Sequence, residues 1–302
     1  MGDFSVVVPV YNKEYSVERC ILSIERQILR PKEVILVNDG SSDKSLEKIY
    51  EIIKDLDSIE YKVVDQMNFG VSISRNIGID CCSNEYVCFL DADDYWYPNF
   101  LFAINELIND YPKAVMFSTG HSVQKGDGLP LKANSGVIKG FRGCHQDFFK
   151  ACSSGSIVNS SKVCVKKSVI EIVGGFPEGV SCGEDLFTWI EIARKGDVAY
   201  TDEVLSCVCQ AIDCSRESRI GSVPYPLIYY GEEFNKTGVD QSLRKYLIRI
   251  GLRHVLGSIS EGQYKEALVR IFYFYRISLS YALLSTFALF IPPMILKKIR
   301  QQ

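Results

Sequence analysis

A chain of 302 residues is long enough for one large α/β domain with an appendage, or for two domains. Its 47% hydrophobic and 24% charged residues are ordinary for a globular protein. The net charge of −3 is unevenly placed: residues 241–302 hold ten Lys/Arg against two acids, a +8 tail on a −11 body. An acidic body excludes the basic globular face of a nucleic-acid binder, and a basic tail suits an acidic surface such as a membrane. Eleven scattered cysteines, odd in number and without a paired CxxC pattern, read as reduced thiols in the cytosol, and no signal peptide precedes the first strand.

In chain order, Phe4–Pro9 is a β-branched run closed by proline, a first strand. Val17, Cys20, Ile21, Ile24 and Ile28 follow helical spacing, with Ser16 as its cap. Glu33–Asn38 is a second strand that empties into the turn Asp39-Gly40-Ser41-Ser42-Asp43. A helix marked by Leu46, Ile49, Tyr50 and Ile53, a strand at Tyr61–Val64 and a helix at Val71–Ile79 come next. Val87–Leu90, preceded by Tyr86, is too short an apolar run for a helix and reads as a buried fourth strand. Strands alternating with helices imply right-handed crossovers and a largely parallel sheet. Its strands' carboxyl ends then share one edge, where open α/β sheets bind ligands. Pro9–Asn12, Asp39 and the acid cluster Asp91–Asp94 are expected to meet there.

Three carboxylates within four positions, Asp91, Asp93 and Asp94, repel one another and call for a positive group. Oxygen-only ligands suit Mg²⁺ or Mn²⁺, which usually shares its shell with substrate phosphates. The alternative is that Asp94 caps the next helix, which carries Leu101, Ile104, Ile108 and Tyr111, and that the others are solvated. GxxxxGK[ST] is absent, and so is GxGxxG after a strand, which counts against a P-loop NTPase and a dinucleotide-dependent dehydrogenase.

The motifs Pro9-Val10-Tyr11-Asn12, Val37–Asp43, Arg75-Asn76-Ile77-Gly78, Leu90–Asp94, Gly174-Gly175-Phe176 and Gly183-Glu184-Asp185 with Trp189 stand in the order of the family 2 glycosyltransferases, which this sequence resembles over residues 4–215. The resemblance, to the bacterial surface-polysaccharide type, implies an inverting enzyme of the GT-A fold. That is a Rossmann-like α/β nucleotide-diphospho-sugar transferase with a mixed central sheet, followed here by a helical C-terminal tail. Residues 1–238 would form the catalytic domain, with a nucleotide-sugar half at 1–112 and an acceptor half at 113–238, and residues 239–302 the tail. By the same resemblance Asp39 reads the base within a pocket walled by Pro9, Tyr11 and Asn12. Asp91 and Ala92 face ribose and donor sugar, and Asp93, with Asp91, holds Mn²⁺ or Mg²⁺. Arg75 suits an acid of the site or a phosphate, while Asn76 and Gly78 serve close helix packing. Asp185 is the base that takes the acceptor's proton, with Glu184 in reserve. Without the resemblance, both acids merely complement a helix N-terminus. Arg216 and Arg219 lie in a segment that closes over the diphosphate in relatives. The histidine frequent there in the family is missing, which leaves the source of a further protein ligand for the metal open.

The middle of the chain is less regular. Ala114–Phe117 is strand-like, Ser153–Ser161 reads as loop and Ser156–Val165 as an antiparallel strand, while His121 and His145 read as packing residues sooner than ligands. After residue 183, Leu186, Trp189, Ile190 and Ala193 form one apolar helix face, and Cys207-Val208-Cys209 ends a strand. In the tail, Ile277–Leu296 is twenty residues without a charge, broken by Pro292-Pro293. It is just long enough to span a bilayer. An interfacial helix, a re-entrant hairpin or a helix packed on the domain are the alternatives.

The expected protein is a metal-dependent inverting glycosyltransferase on the cytoplasmic side, at the inner face of the plasma membrane. It would take a nucleotide-diphosphate sugar, expected to be a UDP-sugar, and a saccharide or lipid-linked saccharide acceptor, with no nucleic acid partner. A nucleotide-sugar-binding module without turnover and a sugar nucleotidyltransferase are the competing classes. Intact Asp91, Asp93 and Asp185 argue against the first, and a first loop without a glycine-rich basic stretch against the second.

Overall fold

The computed structural model describes residues 3–152, 155–210, 223–234 and 240–296. Along the chain run β1 (Phe4–Val10), α1 (Val17–Glu25), β2 (Glu33–Asp39), α2 (Ser45–Ile53), β3 (Glu60–Gln66), α3 (Val71–Cys81), β4 (Tyr86–Phe89), β5 (Tyr95–Trp96), α4 (Phe100–Asp110) and β6 (Met116–Lys125). Then follow β7 (Leu131–Lys132), β8 (Arg142–His145), α5 (Phe148–Ala151), β9 (Val163–Lys166), α6 (Lys167–Ile172), α7 (Glu184–Ala193) and β10 (Val198–Gln210). Four helices end the chain: α8 (Tyr225–Glu233), α9 (Gln241–Ser260), α10 (Tyr264–Ile277) and α11 (Leu279–Ala288). Two compact units result, Met1–Gly179 with Asp185–Ile212, and Val180–Glu184 with Asp213–Gln302.

The first unit is built on one mixed sheet in the order β3-β2-β1-β4-β9-β6-β10-β5, with β7 beside β6 and β8 beside β10. β3, β2, β1 and β4 are parallel, so their carboxyl ends do share an edge. β9 enters antiparallel between β4 and β6, which joins the two halves into one sheet. β1 and β2 are buried almost throughout, the signature of strands covered on both faces. Val17, Cys20, Ile21 and Ile24 of α1 and Leu101, Ile104 and Leu107 of α4 bury their apolar stripes in one core. On α3, a Cβ at Gly78 would lie 2.3 Å from Val7 Cγ1, so only glycine lets this helix approach β1. Asn76 clamps the chain at Phe176, donating to its carbonyl at 2.9 Å and accepting from its amide at 2.8 Å.

Several boundaries depart from expectation. α1 stops at Glu25, and Ile28 is 69% exposed because its amide turns aside to Pro98 O. Ser16 caps nothing through its side chain; its hydroxyl turns back to Lys13 O. α4 has Asn99 at its N-cap, so Asp94 does not cap it. The strand expected over Ser156–Val165 shrinks to β9. Asn159 Oδ1 accepts from Ser161 N, a local turn, and Ser118 Oγ donates to Ile157 O, which takes that stretch out of the ladder. Ten cysteines are unpaired with one another among the described residues.

In the second unit the uncharged run of the tail is not one helix. α10 ends at Ile277, α11 has ten residues, and Pro292-Pro293 follows. Among the described residues no helix is long and apolar enough to cross a membrane.

Candidate active site

The site lies where β1, β2 and β4 end. After β1, Asn12 adopts φ +52°, a left-handed turn that asparagine tolerates. Its Oδ1 accepts from Ser42 N at 2.8 Å and its amide donates to Ser41 Oγ at 3.0 Å. Lys13 N donates to Ser45 Oγ at 2.7 Å and Glu14 N to Asp43 Oδ2 at 3.0 Å. The loop after β1 is thus stitched to the loop after β2 by side chains that read as turn chemistry in the sequence. Tyr11 is 47% exposed beside it, and Pro9 lies partly buried in β1.

Asp39 closes β2 and is buried. Its Oδ1 accepts from Gln66 Nε2 at 2.8 Å and Phe69 N at 2.9 Å, and its Oδ2 from Gly70 N at 2.9 Å. The carboxylate therefore shapes the loop that opens α3. It faces the same edge as Asn12.

Charge begins two residues after β4, at Asp91. Arg75, buried on α3, donates from Nη2 to Asp91 Oδ1 at 2.8 Å and stacks its guanidinium 5.1 Å from the Phe176 ring. Lys13 Nζ pairs with Asp93 Oδ2 at 2.8 Å, and Arg19 donates to Asp93 O at 2.6 Å. Ala92 is buried between them. Asp94 is buried too; Ser161 Oγ donates to its Oδ2 and Cys209 N to its Oδ1 at 2.7 Å. Burial, reinforced by the charges of Asp93 and Asp91, pushes Asp94 well above the usual carboxylate range. Of the three clustered acids, two face cations and the third is a buried cross-link.

Glu184 and Asp185 open α7 as expected, and Glu184 is buried while Asp185 is partly exposed. The buried residues of this helix include Thr188, Trp189, Ile190 and Ile192; Leu186 and Ala193 are only partly covered. Trp189 lies 5.7 Å from the Phe89 ring of β4 and 5.4 Å from Phe176, so one aromatic cluster ties α7 to the strand that delivers the acids. Ser160 Oγ donates to Asp185 Oδ2 at 3.4 Å, while its neighbour Ser161 holds Asp94 and accepts from Asp91 N at 3.3 Å. Two adjacent serines thereby connect Asp185 to the acid turn. Lys13, Arg19 and this serine pair are not among the residues singled out in the sequence. Lys13 directly follows the Pro-Val-Tyr-Asn run, which is the signal that was there to find; the serines sit in a loop without periodicity. Arg216 and Arg219 lie outside the described residues. His121 and His145 stand opposite Ser206 and Val198 of β10, eight positions apart on one strand, so they do not converge.

A divalent ion has a partial donor set here. Asp91 and Asp93 keep side chains 36% and 31% exposed at one turn. Among the described residues no group of three His, Cys, Asp or Glu converges. Two carboxylates fit an ion whose shell is completed by substrate phosphates, the usual habit of Mg²⁺.

This sheet, with helices behind it and acids at its edge, is the GT-A fold. A crystal structure of S. aureus TarS 1-349 in complex with UDP-GlcNAc superposes with a TM-score of 0.74 over 99% of this chain and 92% of that one, at 17% identity. Residues 5–152 match the family model described as Glycosyl transferase family 2, and the chain belongs to that family. Glycosyltransferase GlyA of Streptococcus pneumoniae is 32% identical over 127 residues, 41% of this chain and 18% of that protein. The GalNAc(5)-diNAcBac-PP-undecaprenol beta-1,3-glucosyltransferase of Campylobacter jejuni is 28% identical over 176 residues, 57% of this chain and 54% of that protein. The chain thus spans less than two thirds of either relative.

Proposed function

We propose that this chain transfers a glycosyl unit from a nucleotide-diphosphate donor, a UDP-sugar, to a hydroxyl of a lipid-linked or growing surface glycan, with inversion. The observation that carries this reading is the Ser160-Ser161 bridge, which sets a partly exposed carboxylate beside the acid turn at the edge that also holds Asp39 and Asn12. Asp185 takes the proton of the acceptor hydroxyl while its oxygen bonds to the anomeric carbon. The bond from that carbon to the diphosphate breaks on the opposite face, and the electron pair leaves with the diphosphate. Glu184, buried at the first position of α7, is the reserve for the base.

Arg75 and Lys13 supply fixed positive charge to the turn where the leaving diphosphate gathers negative charge. Asp91 and Asp93 would hold Mn²⁺ or Mg²⁺, which when bound adds Lewis-acid help to the leaving group. Asp39, Pro9, Tyr11 and Asn12 wall the base pocket. UDP-GlcNAc and UDP in the TarS crystal structures and the undecaprenol-linked acceptor in the name of the Campylobacter relative support the donor and acceptor classes. The basic tail carries the enzyme to the inner face of the plasma membrane, near such an acceptor. A panel of nucleotide sugars, assayed for released nucleotide diphosphate with and without Mn²⁺, tests the proposal. Release of UDP with transfer is expected. Donor binding without release makes this a binding module, and pyrophosphate release a nucleotidyltransferase.

A further inference from the structure

The last helix of the second unit is built inside out. α11 buries Ser278 at its cap and Ala282, Ser285 and Ala288, and exposes Leu283, Leu284 and Phe287, the last 70% exposed. A helix facing water does the reverse, because each exposed large apolar side chain forgoes the gain of leaving water. Phe290 and Met294 extend the exposed apolar surface, at 84% and 77%. At the start of the same helix lies a groove of about 530 Å³. Arg244, Lys245 and Arg249 of α9 line one side, and Ser278, Ser280 and Tyr281 the other. No acid lines it, and the neighbouring Asp240 is engaged by the amides of Ser242 and Leu243 as the cap of α9. Arg244 is held in place by Ile277 O at 3.1 Å.

We propose that this groove binds the phosphate of an anionic bilayer lipid while Leu283, Leu284 and Phe287 insert among the acyl chains. The inference rests on the membrane-face reading above and gives it a site and an orientation. Cations and large apolar side chains occupy neighbouring stretches of one surface, which is the make-up of a helix lying in the interface. A second copy of the chain is the poorer occupant, because it would bring two +8 tails together.

The test is co-sedimentation of the full chain with vesicles of phosphatidylcholine alone, or with about a third phosphatidylglycerol. The wild type should prefer the anionic vesicles. Lys245→Gln with Arg249→Gln should weaken that binding about thirty-fold, two lost charges near the leaflet, and leave weak binding to neutral vesicles unchanged. Phe287→Asp should abolish both. Circular dichroism and UDP affinity of each variant, unchanged from wild type, establish that it is folded. Equal binding to both vesicles, unaltered by the charge pair, overturns the groove and leaves the membrane reading standing. No binding to either vesicle, with a dimer that Phe287→Asp splits, overturns both and makes the face an interface between copies. Neither result touches the transfer reaction, which the donor panel reads separately.

Discussion

At the end of β2 the Asp39 carboxylate is held by the amides of Phe69 and Gly70 and by Gln66. At the end of β4, Asp91 and Asp93 are held by Arg75 and Lys13, at the tips of long side chains. Backbone donors are fixed by the fold, so a carboxylate they hold defines a loop. Side-chain cations can be shared with or passed to an incoming anion, so a carboxylate they hold remains available to a ligand. The same residue type, on two strands with β1 between them, is locked by backbone donors in one place and held by exchangeable side chains in the other.

The largest effect should come from the exchangeable side. Asp93→Ala should lower transfer by roughly 10³-fold or more, since metal-assisted leaving-group stabilisation is worth several kcal/mol. Full turnover of this variant, or of the wild type in EDTA, breaks the contrast between the two turns. Next, Asp185→Asn should bind UDP normally and lose about 10²–10⁴-fold in transfer, the worth of a general base. Should Glu184→Gln be the inactive protein instead, the two acids exchange roles.

Asp39→Asn probes the architectural side. Its amide nitrogen cannot accept, so one backbone amide is left without its partner, at a cost of about 1–3 kcal/mol in urea unfolding. An unchanged midpoint would mean that Asp39 is not shaping the loop. The smallest effect concerns Lys162, a fully buried cation that donates to a backbone carbonyl, Ser156 O, at 3.1 Å. Burial lowers its pKa from 10.5 to about 7. Between those values the unfolded chain binds more protons, so this residue's contribution to stability grows as pH rises through the window and is lost as pH falls through about 7. Lys162→Met should flatten that slope between pH 7 and 9. His121, which burial and Lys162 lower to about 3, titrates outside this window. A variant with the wild-type slope would refute the assignment.

The parallel half was legible because its signals are periodic. Val6–Val8, Val34–Val37 and Val87–Phe89 are apolar runs, and each ends in turn residues that landed at one edge. Asp39, Arg75, Asp91, Asp93 and Asp185 were singled out because strands or helices point to them. What was missed is carried by residues whose role depends on partners far along the chain. Asp94 looks like a helix cap until Cys209, 115 positions on, supplies its amide. Ser160 and Ser161 have hydroxyls that suit any loop, and only β9, inserted antiparallel, brings them to the acids.

The Asp94 cross-link also bears on how the chain acquires its shape. During synthesis the acid turn emerges with β4, yet its two hydrogen-bond partners lie 67 and 115 residues later. Until Ser161 emerges that carboxyl has neither donor, until β10 arrives it lacks the Cys209 amide, and closing so long a loop is slow. The segment that carries the acid turn is expected to complete its packing only when the last strand of the sheet arrives. A fragment cut after α4 would therefore be expected to stay open and prone to aggregate, even though every one of its own strands and helices is present.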